Sequence, residues 1–349
     1  MSSQAVRQLN KGLKTEHFKN FSYLNKSNMK KRGIGLALSG GSVRGLTHIG
    51  ILKVLEENNI PIAHIAGTSI GALIGAAYCS GLSAKEIEKI ALTTELKDLV
   101  DFTEPKTGFI AGRRIEKFIR KIIKDKNFKD LKIPLSIIAA DINNGEKVVF
   151  EEGDVTQAVR ASISIPGIFS SVKIGKRELV DGGIVDPVPV DILKDAGIKR
   201  IITVDLTMNF GEKEVPSKEP SDFIDFLKKE FYMKELEFTA RYAKKFFIKF
   251  PKFLFRIIAK IIDKLLNPVK IYRFISGKTI PEIAKIMINS NMILINQLSI
   301  EILKKEHVDV IIKPNLKGAK IAEFEKAAEL IKEGEIAAKK QLRNIRKLL

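Results

Sequence analysis

The sequence predicts an α/β fold on a mostly parallel central sheet, and three observations carry that expectation. From about residue 33 onward, short apolar runs alternate with segments of helical periodicity. Two of the strand-to-helix turns in that stretch are glycine-rich, Ser39–Gly45 and Gly67–Gly71. With 349 residues the chain can also bury a substantial core. Such alternation is the mark of βαβ units, because parallel neighbours need a crossover rather than a hairpin.

Taken in order, the first strand is Ile34–Leu38 and a helix follows at once over Leu46–Asn58. A second strand, Ile62–Ala66, runs into a helix over Ile70–Cys79 that Gly81 closes, glycine being the usual left-handed residue after a helix end. The next helix opens on a capping box, Ser83 with Glu86 three residues on, which satisfies two orphan amides reciprocally. Further strands are predicted at Leu135–Ala140, Lys147–Phe150, Arg177–Val180, Ile201–Val204 and Val308–Ile312.

These elements suggest four regions. Residues 1–32 are polar and basic, with Lys30 and Lys31 near their end, and read as a flexible or weakly helical arm. Residues 33–214 form the core, and 215–285, rich in Phe, Ile and Lys, form an insertion between the last two strands. Residues 286–349 return to the core and end in helices. No internal repeat is present.

The net charge of +19 attracts polyanions, whether nucleic acid or anionic lipid headgroups, although a solvated lysine coat accounts for charge of this size as well. No zinc-finger, RNP or Walker pattern accompanies it, so no specific nucleic-acid partner is expected. A single cysteine, Cys79, excludes an internal disulfide framework and reads as a small apolar residue on a buried helix. The N-terminal residues lack the apolar core of a secretory signal, and no uninterrupted apolar run reaches the roughly 18 residues of a spanning helix. A cytoplasmic protein is the expectation. No His/Cys/carboxylate cluster with ligand spacing appears, so no metal or cofactor is expected.

Two turns carry candidate chemistry. In Ser39-Gly40-Gly41-Ser42-Val43-Arg44-Gly45 the glycines let the backbone bend tightly before a helix start, which makes an anion site or a plain strand-to-helix turn. Arg44 could orient a phosphate or form a salt bridge at the helix start. The second turn, Gly67-Thr68-Ser69-Ile70-Gly71, has the G-x-S-x-G form of a nucleophile elbow between an apolar strand and an apolar helix. A nucleophilic Ser69 needs a base, and the four histidines are poorly placed for it. His17 lies in the arm, His48 inside the first helix and His64 in the strand before the elbow. Only His307 follows the chain order Ser, acid, His, and it precedes a strand in a charged segment. Asp181, in Val180-Asp181-Gly182-Gly183, ends a strand at a glycine turn, where it reads either as an acid partner or as a simple turn residue.

The Gly40–Gly45 loop, the Gly67–Gly71 elbow and the Asp181-Gly182-Gly183 turn, in that order, resemble the motifs of patatin-like phospholipases. Ala161–Phe169 and Asp186-Pro187-Val188-Pro189-Val190 also look like bacterial members of the family. The similarity covers about residues 33–205 and returns near 286–333. It implies a three-layer sandwich with a helical insertion and a Ser69–Asp181 dyad. Gly40, Gly41 and Ser42 would form the oxyanion hole, supported by Arg44, Gly45, Gly67, Gly71, Gly182 and Gly183. Ser42 departs from the family's third glycine. The implied activity is cleavage of lipid acyl esters of the phospholipase A or lysophospholipase type, with a lipid as substrate and no metal. The alternative is a catalytically inert protein on the same fold that binds membrane or nucleic acid.

From Phe238 to Ile275 there are ten Lys or Arg and one acid, Asp263. Lys252, Arg256, Lys260 and Lys264 recur every fourth residue, with Phe253 and Phe255 among the apolar residues around the stripe. Such a helix can dock on an anionic membrane surface, which would make the protein peripherally membrane-associated, or pack against the core or a second copy of the chain.

Overall fold

The computed structural model describes residues 33–101, 108–208, 268–316, 318–319 and 323–349. The expected arm, and Lys252, Phe253, Phe255, Arg256, Lys260 and Lys264 of the expected docking helix, lie outside the described residues.

The opening elements follow the sequence closely. Strand β1 is Ile34–Leu38, a 3-10 turn spans Ser42–Leu46, and helix α1 is Thr47–Glu57. Strand β2 is Ile62–Thr68, two residues longer than its apolar run, so that it ends directly at Ser69; helix α2 is Ile70–Cys79. Gly81 (φ 104) ends α2, with the Gly81 amide donating to Tyr78 O and the Leu82 amide to Ala77 O, the paired bonds of a Schellman cap. Helix α3, Ala84–Thr93, opens on the predicted box, Ser83 and Glu86 each accepting from the other's backbone amide. A short α4 (Leu96–Leu99) and strand β3 (Gly108–Ile110) lead to helix α5, Arg113–Ile123. The sequence reading passes over α5, although its buried residues Ile115, Ile119 and Ile123 recur every fourth position among basic residues.

Strand β4 is Leu135–Asp141, β5 is Lys147–Phe150, and helix α6 is Val155–Ser162. The three-residue strands β6 (Gly167–Phe169) and β7 (Val172–Ile174) precede β8, Arg177–Asp181. Helix α7 is Val190–Asp195, β9 is Ile201–Val204, α8 is Pro268–Lys305, β10 is Val310–Ile312 and α9 is Ala327–Arg346. Helix α8 runs continuously across position 285, where the sequence suggests a boundary between insertion and core.

The main sheet has the order β10-β9-β1-β2-β4-β8-β7, with β5 also paired to β4. From β10 to β4 all pairs are parallel; β5, β7 and β8 add antiparallel pairs. Strands β1, β2, β4 and β9 are buried along their whole length, which explains their unbroken apolar character. On one face Leu36, Leu38, Ile65 and Ile137 pack with α1, α2, α5, α6 and α9. On the other, Ala37, Ala63, Ala66 and Ile138 meet α7 and the C-terminal end of α8. Two helical layers thus enclose the sheet in the expected three-layer arrangement.

One feature of the register decides where the site falls. Strand β5 covers one side of β4 over Ile137–Ala140, so β2 and β8 must share the other. The last residue of β2, Thr68, pairs with Ile138, and the last residue of β8, Asp181, pairs with the next residue, Ala139. The two strands run toward each other and stop end to end. Ser69 and Asp181 therefore meet, although 112 positions separate them.

Candidate active site

Ser69 occupies a strained elbow. Its backbone lies at φ 56, ψ −123, a conformation that non-glycine residues avoid and that must be held by its surroundings. The surroundings do so tightly: a Cβ on Gly71 would stand 2.1 Å from Leu38 O, and one on Gly67 2.7 Å from Gly71 O. Only glycine on both sides lets β2 turn so sharply into α2. The Ser69 amide donates to Ser162 Oγ at 2.8 Å, and Thr68 Oγ1 donates to Asp186 O at 2.8 Å.

The Ser69 hydroxyl donates to Asp181 Oδ2 at 2.6 Å, within the short range of a charge-assisted bond. Asp181 Oδ1 accepts from the Gly183 amide at 2.8 Å, so both carboxylate oxygens are engaged and the side chain is fixed. The Asp181 amide donates to Ser164 O. Asp181 is 3% exposed, and burial pushes its carboxyl up to about 6 while the bonds from Ser69 and Gly183 oppose the rise. A carboxylate tuned toward neutrality at a serine hydroxyl is an arrangement suited to proton transfer.

The glycine-rich loop stands beside the elbow, where a Cβ on Gly40 would lie 3.5 Å from Ser69 Cβ. The Gly40 amide, expected as an oxyanion donor, donates to Pro187 O at 2.9 Å in this conformation. Gly41 donates no backbone hydrogen bond among the described residues. Ser42 sits at φ 54, so its Cβ is accommodated at a strain of about 1 kcal/mol in a conformation that favours glycine. Arg44 is 4% exposed and donates through Nε to Gly41 O at 3.1 Å and through Nη1 to Leu206 O at 3.4 Å; among the described residues it makes no salt bridge. Burial lowers its guanidinium to about 10, leaving it charged at neutral pH. Its effect is to brace the loop. Gly45 packs against Ile70, and Gly182 lies against the Ile138 carbonyl.

The histidines stand apart from this pair. His48 is buried, its Nε2 bonds Ser39 O at 2.9 Å, and burial lowers it to about 4, against the Ser39 bond. Because a carbonyl only accepts, the Nε2–H tautomer follows. His64 is bonded to Ser136, His307 is exposed, and His17 lies outside the described residues. Cys79 is buried and burial raises its thiol above its ordinary range, as a core residue requires. Among the described residues no group of three or more His, Cys, Asp or Glu could hold a metal ion.

Several supporting residues escape the sequence reading. Ser162 holds the elbow amide. Arg160, 3% exposed, donates to Ser164 Oγ at 2.6 Å and to the carbonyls of Gly112, Ala111 and Ser170, which ties the Ile163–Ser170 loop to the start of α5. Ser162 lies in the Ala161–Phe169 segment, which resembles the family but carries no motif chemistry of its own, and Arg160 stands just before that segment.

Fold and site together define an α/β protein with a serine at a strained strand-to-helix elbow, hydrogen-bonded to a buried aspartate at the end of a neighbouring strand. Residues 36–194 match the family model described as patatin-like phospholipase. Over 181 residues it is 34% identical to patatin-like phospholipase domain-containing protein 6 of mouse, an alignment covering 50% of this chain and 13% of that protein. It is 31% identical to lysophospholipase NTE1 of Candida albicans over 53% of this chain and 14% of that one, and 32% identical to an uncharacterised NTE family protein of Mycobacterium bovis over 51% and 50%. The chain thus spans only a small part of the first two relatives. Among solved structures, VipD from Legionella pneumophila shares the fold, with a TM-score of 0.51 and 14% identity over 90% of this chain and 67% of that one.

Proposed function

We propose that the protein hydrolyses acyl esters of phospholipids or lysophospholipids through a Ser69–Asp181 dyad. The observation that carries this reading is the 2.6 Å bond from the Ser69 hydroxyl to a buried, both-oxygens-engaged carboxylate at a nucleophile elbow. The relatives' printed names supply the lipid class.

Ser69 Oγ attacks the ester carbonyl while its proton passes to Asp181 Oδ2, and the carbonyl π pair moves onto oxygen. Collapse of the tetrahedral species breaks the ester bond, and the leaving alkoxide takes the proton from Asp181. Water then attacks the acyl-enzyme, giving its proton to Asp181 and releasing the fatty acid, after which Ser69 regains its hydrogen. The Gly41 and Ser42 amides, in the loop that Arg44 braces, are the donors for the oxyanion; losing one such donor costs about 100- to 1000-fold. A panel of lysophospholipid, phospholipid and neutral acyl esters tests the reading. Wild type hydrolyses a phospholipid-class ester and Ser69→Ala does not; equal activity in the two would contradict the assignment.

Because Asp181 must be ionised to accept the proton, kcat/KM is expected to fall tenfold per pH unit below about 6 and to level off above it. A rate unchanged from pH 7 down to pH 4 would contradict a base of this kind.

The reading includes work at a lipid surface. By length and composition Ile286–Lys305 of α8 is long and apolar enough to cross a membrane; the sequence reading passes over it because Asn289, Ser290, Asn291, Asn296 and Gln297 interrupt the apolar run. Its inner side belongs to the protein: Ile288 is buried, Ile295 lies against Gly183, and Asn296 bonds both the amide and carbonyl of Met208. Its outer side presents Ile286 (64% exposed), Ile293 (47%) and Leu294 (66%), with no charged residue from 286 to 300. An uncharged face that sets Ile286, Ile293 and Leu294 beside the exposed Ser290 and Gln297 suits an interface-docking surface, and the basic residues from 252 to 264 suit anionic headgroups. Ile293→Glu with Leu294→Glu is expected to weaken binding to anionic vesicles at least about tenfold while leaving hydrolysis of a soluble short-chain ester intact. Unchanged vesicle binding would overturn the docking assignment.

A further inference from the structure

The Asp186–Pro187 segment touches every part of the candidate catalytic centre, and the family motifs used above assign it nothing. Its contacts are made by the backbone. The Asp186 amide donates to Gly182 O at 2.9 Å, in the turn that begins at Asp181. The Asp186 carbonyl accepts from Thr68 Oγ1 at 2.8 Å, one residue before Ser69. The Pro187 carbonyl accepts from the Gly40 amide at 2.9 Å, in the glycine loop. One dipeptide thus ties the base turn, the elbow and the loop together through its own backbone, in addition to the direct Ser69–Asp181 hydrogen bond.

What holds this strap is its side chain. Asp186 is 3% exposed, and its carboxylate accepts from Lys147 Nζ on β5 at 3.1 Å; Lys147 also pairs with Asp191 at the start of α7. Burial raises the Asp186 carboxyl to about 7; the Lys147 ammonium opposes the rise, and the neighbouring Asp191 carboxyl adds to it. Asp191 is more exposed and makes no backbone contact to the centre beyond its own helix start.

From this geometry, and resting on the hydrolase reading above, we infer that Asp186 is a positioning residue, clamped by Lys147, that sets the mutual placement of Ser69, Asp181 and the glycine loop. Its side chain touches neither substrate nor the reacting atoms. A misplacement of about 1 Å in such a centre costs on the order of 100-fold, whereas substrate binding far from the elbow is untouched.

The test measures kcat and KM on a soluble short-chain ester, per active site titrated with a fluorophosphonate, for Asp186→Asn, Lys147→Met, Lys147→Arg and Asp191→Asn. Titration removes any loss due to unfolded protein. Asp186→Asn and Lys147→Met are expected to lower kcat per titrated site about 30-fold, with KM within threefold of wild type and a matching fall in the fluorophosphonate reaction rate. Lys147→Arg restores most of the rate, and Asp191→Asn stays within threefold. If Asp186→Asn does not fold, Lys147→Met carries the test alone. A kcat per titrated site within twofold of wild type in both Asp186→Asn and Lys147→Met would overturn the inference, as would a change confined to KM. Wild type inactive on every ester would instead overturn the hydrolase reading itself.

Discussion

Asp181→Asn is expected to abolish ester hydrolysis, by at least about a thousandfold in kcat, and at the same time to make the protein more stable above pH 7. The two effects have one origin. Asp181 is buried and its carboxyl is raised to about 6 by desolvation, so at neutral pH the folded state carries a charge that it disfavours. Asparagine keeps the shape: its carbonyl can accept from the Gly183 amide, and its NH₂ can donate to Ser69 Oγ. The sign of the pH dependence follows from the raised folded value. Between about pH 4 and 6 the folded wild type holds a proton that the unfolded chain has lost, so wild-type stability falls as pH rises through that window and is level beyond it. The advantage of Asp181→Asn is therefore full above about pH 6, on the order of 3 kcal/mol, and vanishes near pH 4. Urea unfolding at pH 7.5 and pH 4 checks this. An Asp181→Asn protein that is less stable than wild type at pH 7.5 would contradict it.

Gly334→Ala, like Gly50→Ala on the facing helix, is expected to be among the most damaging single methyl additions for stability. Helices α1 and α9 cross in backbone contact: a Cβ on Gly334 would stand 2.0 Å from Thr47 O, and one on Gly50 1.9 Å from Ile331 O. Neither neighbour is a flexible side chain, so the helices must separate. Helix α9 covers α1, which follows the glycine loop directly, and its Leu330 and Ile331 are fully buried in the main core. Overpacking against backbone at such a crossing costs about 3 kcal/mol or more. Thermal unfolding of Gly334→Ala is expected to show a large loss, whereas Gly145→Ala, which meets nothing within 4 Å but adopts φ 75, should cost only the strain of its turn. Equal melting temperatures for Gly334→Ala and wild type would contradict the crossing.

The central strands were legible because of where they lie. Ile34–Leu38, Lys147–Phe150 and Ile201–Val204 occupy the residues their patterns indicate, and the ends of the others differ by two residues or fewer. Strands β3, β6 and β7 escaped since three residues cannot display a period. In the site, the elbow was legible from its local glycines, but the partner of Ser69 was not: on residues alone Asp181 could equally have been a turn residue, and only the family resemblance chose it. The reason is physical. That pairing depends on β2 and β8 stopping one register position apart on β4, which no local pattern records. The bracing contacts of Arg44 were not legible either, because a charge beside a glycine loop suggests a phosphate or a salt bridge, and only the fold brings it onto the carbonyls of Gly41 and Leu206. Ser162, Arg160 and Asp186 act through contacts to distant backbone and leave no periodic or motif signature.

The central claim is that Ser69 is the nucleophile and Asp181 its base. Peptide mapping by mass spectrometry after timed fluorophosphonate treatment at pH 8 tests it most directly. The phosphonyl adduct should appear on the peptide that carries Ser69, and its rate of formation should fall at least about a hundredfold in Asp181→Asn. An adduct on a different serine, or labelling of Ser69 at an equal rate in Asp181→Asn, would contradict the dyad.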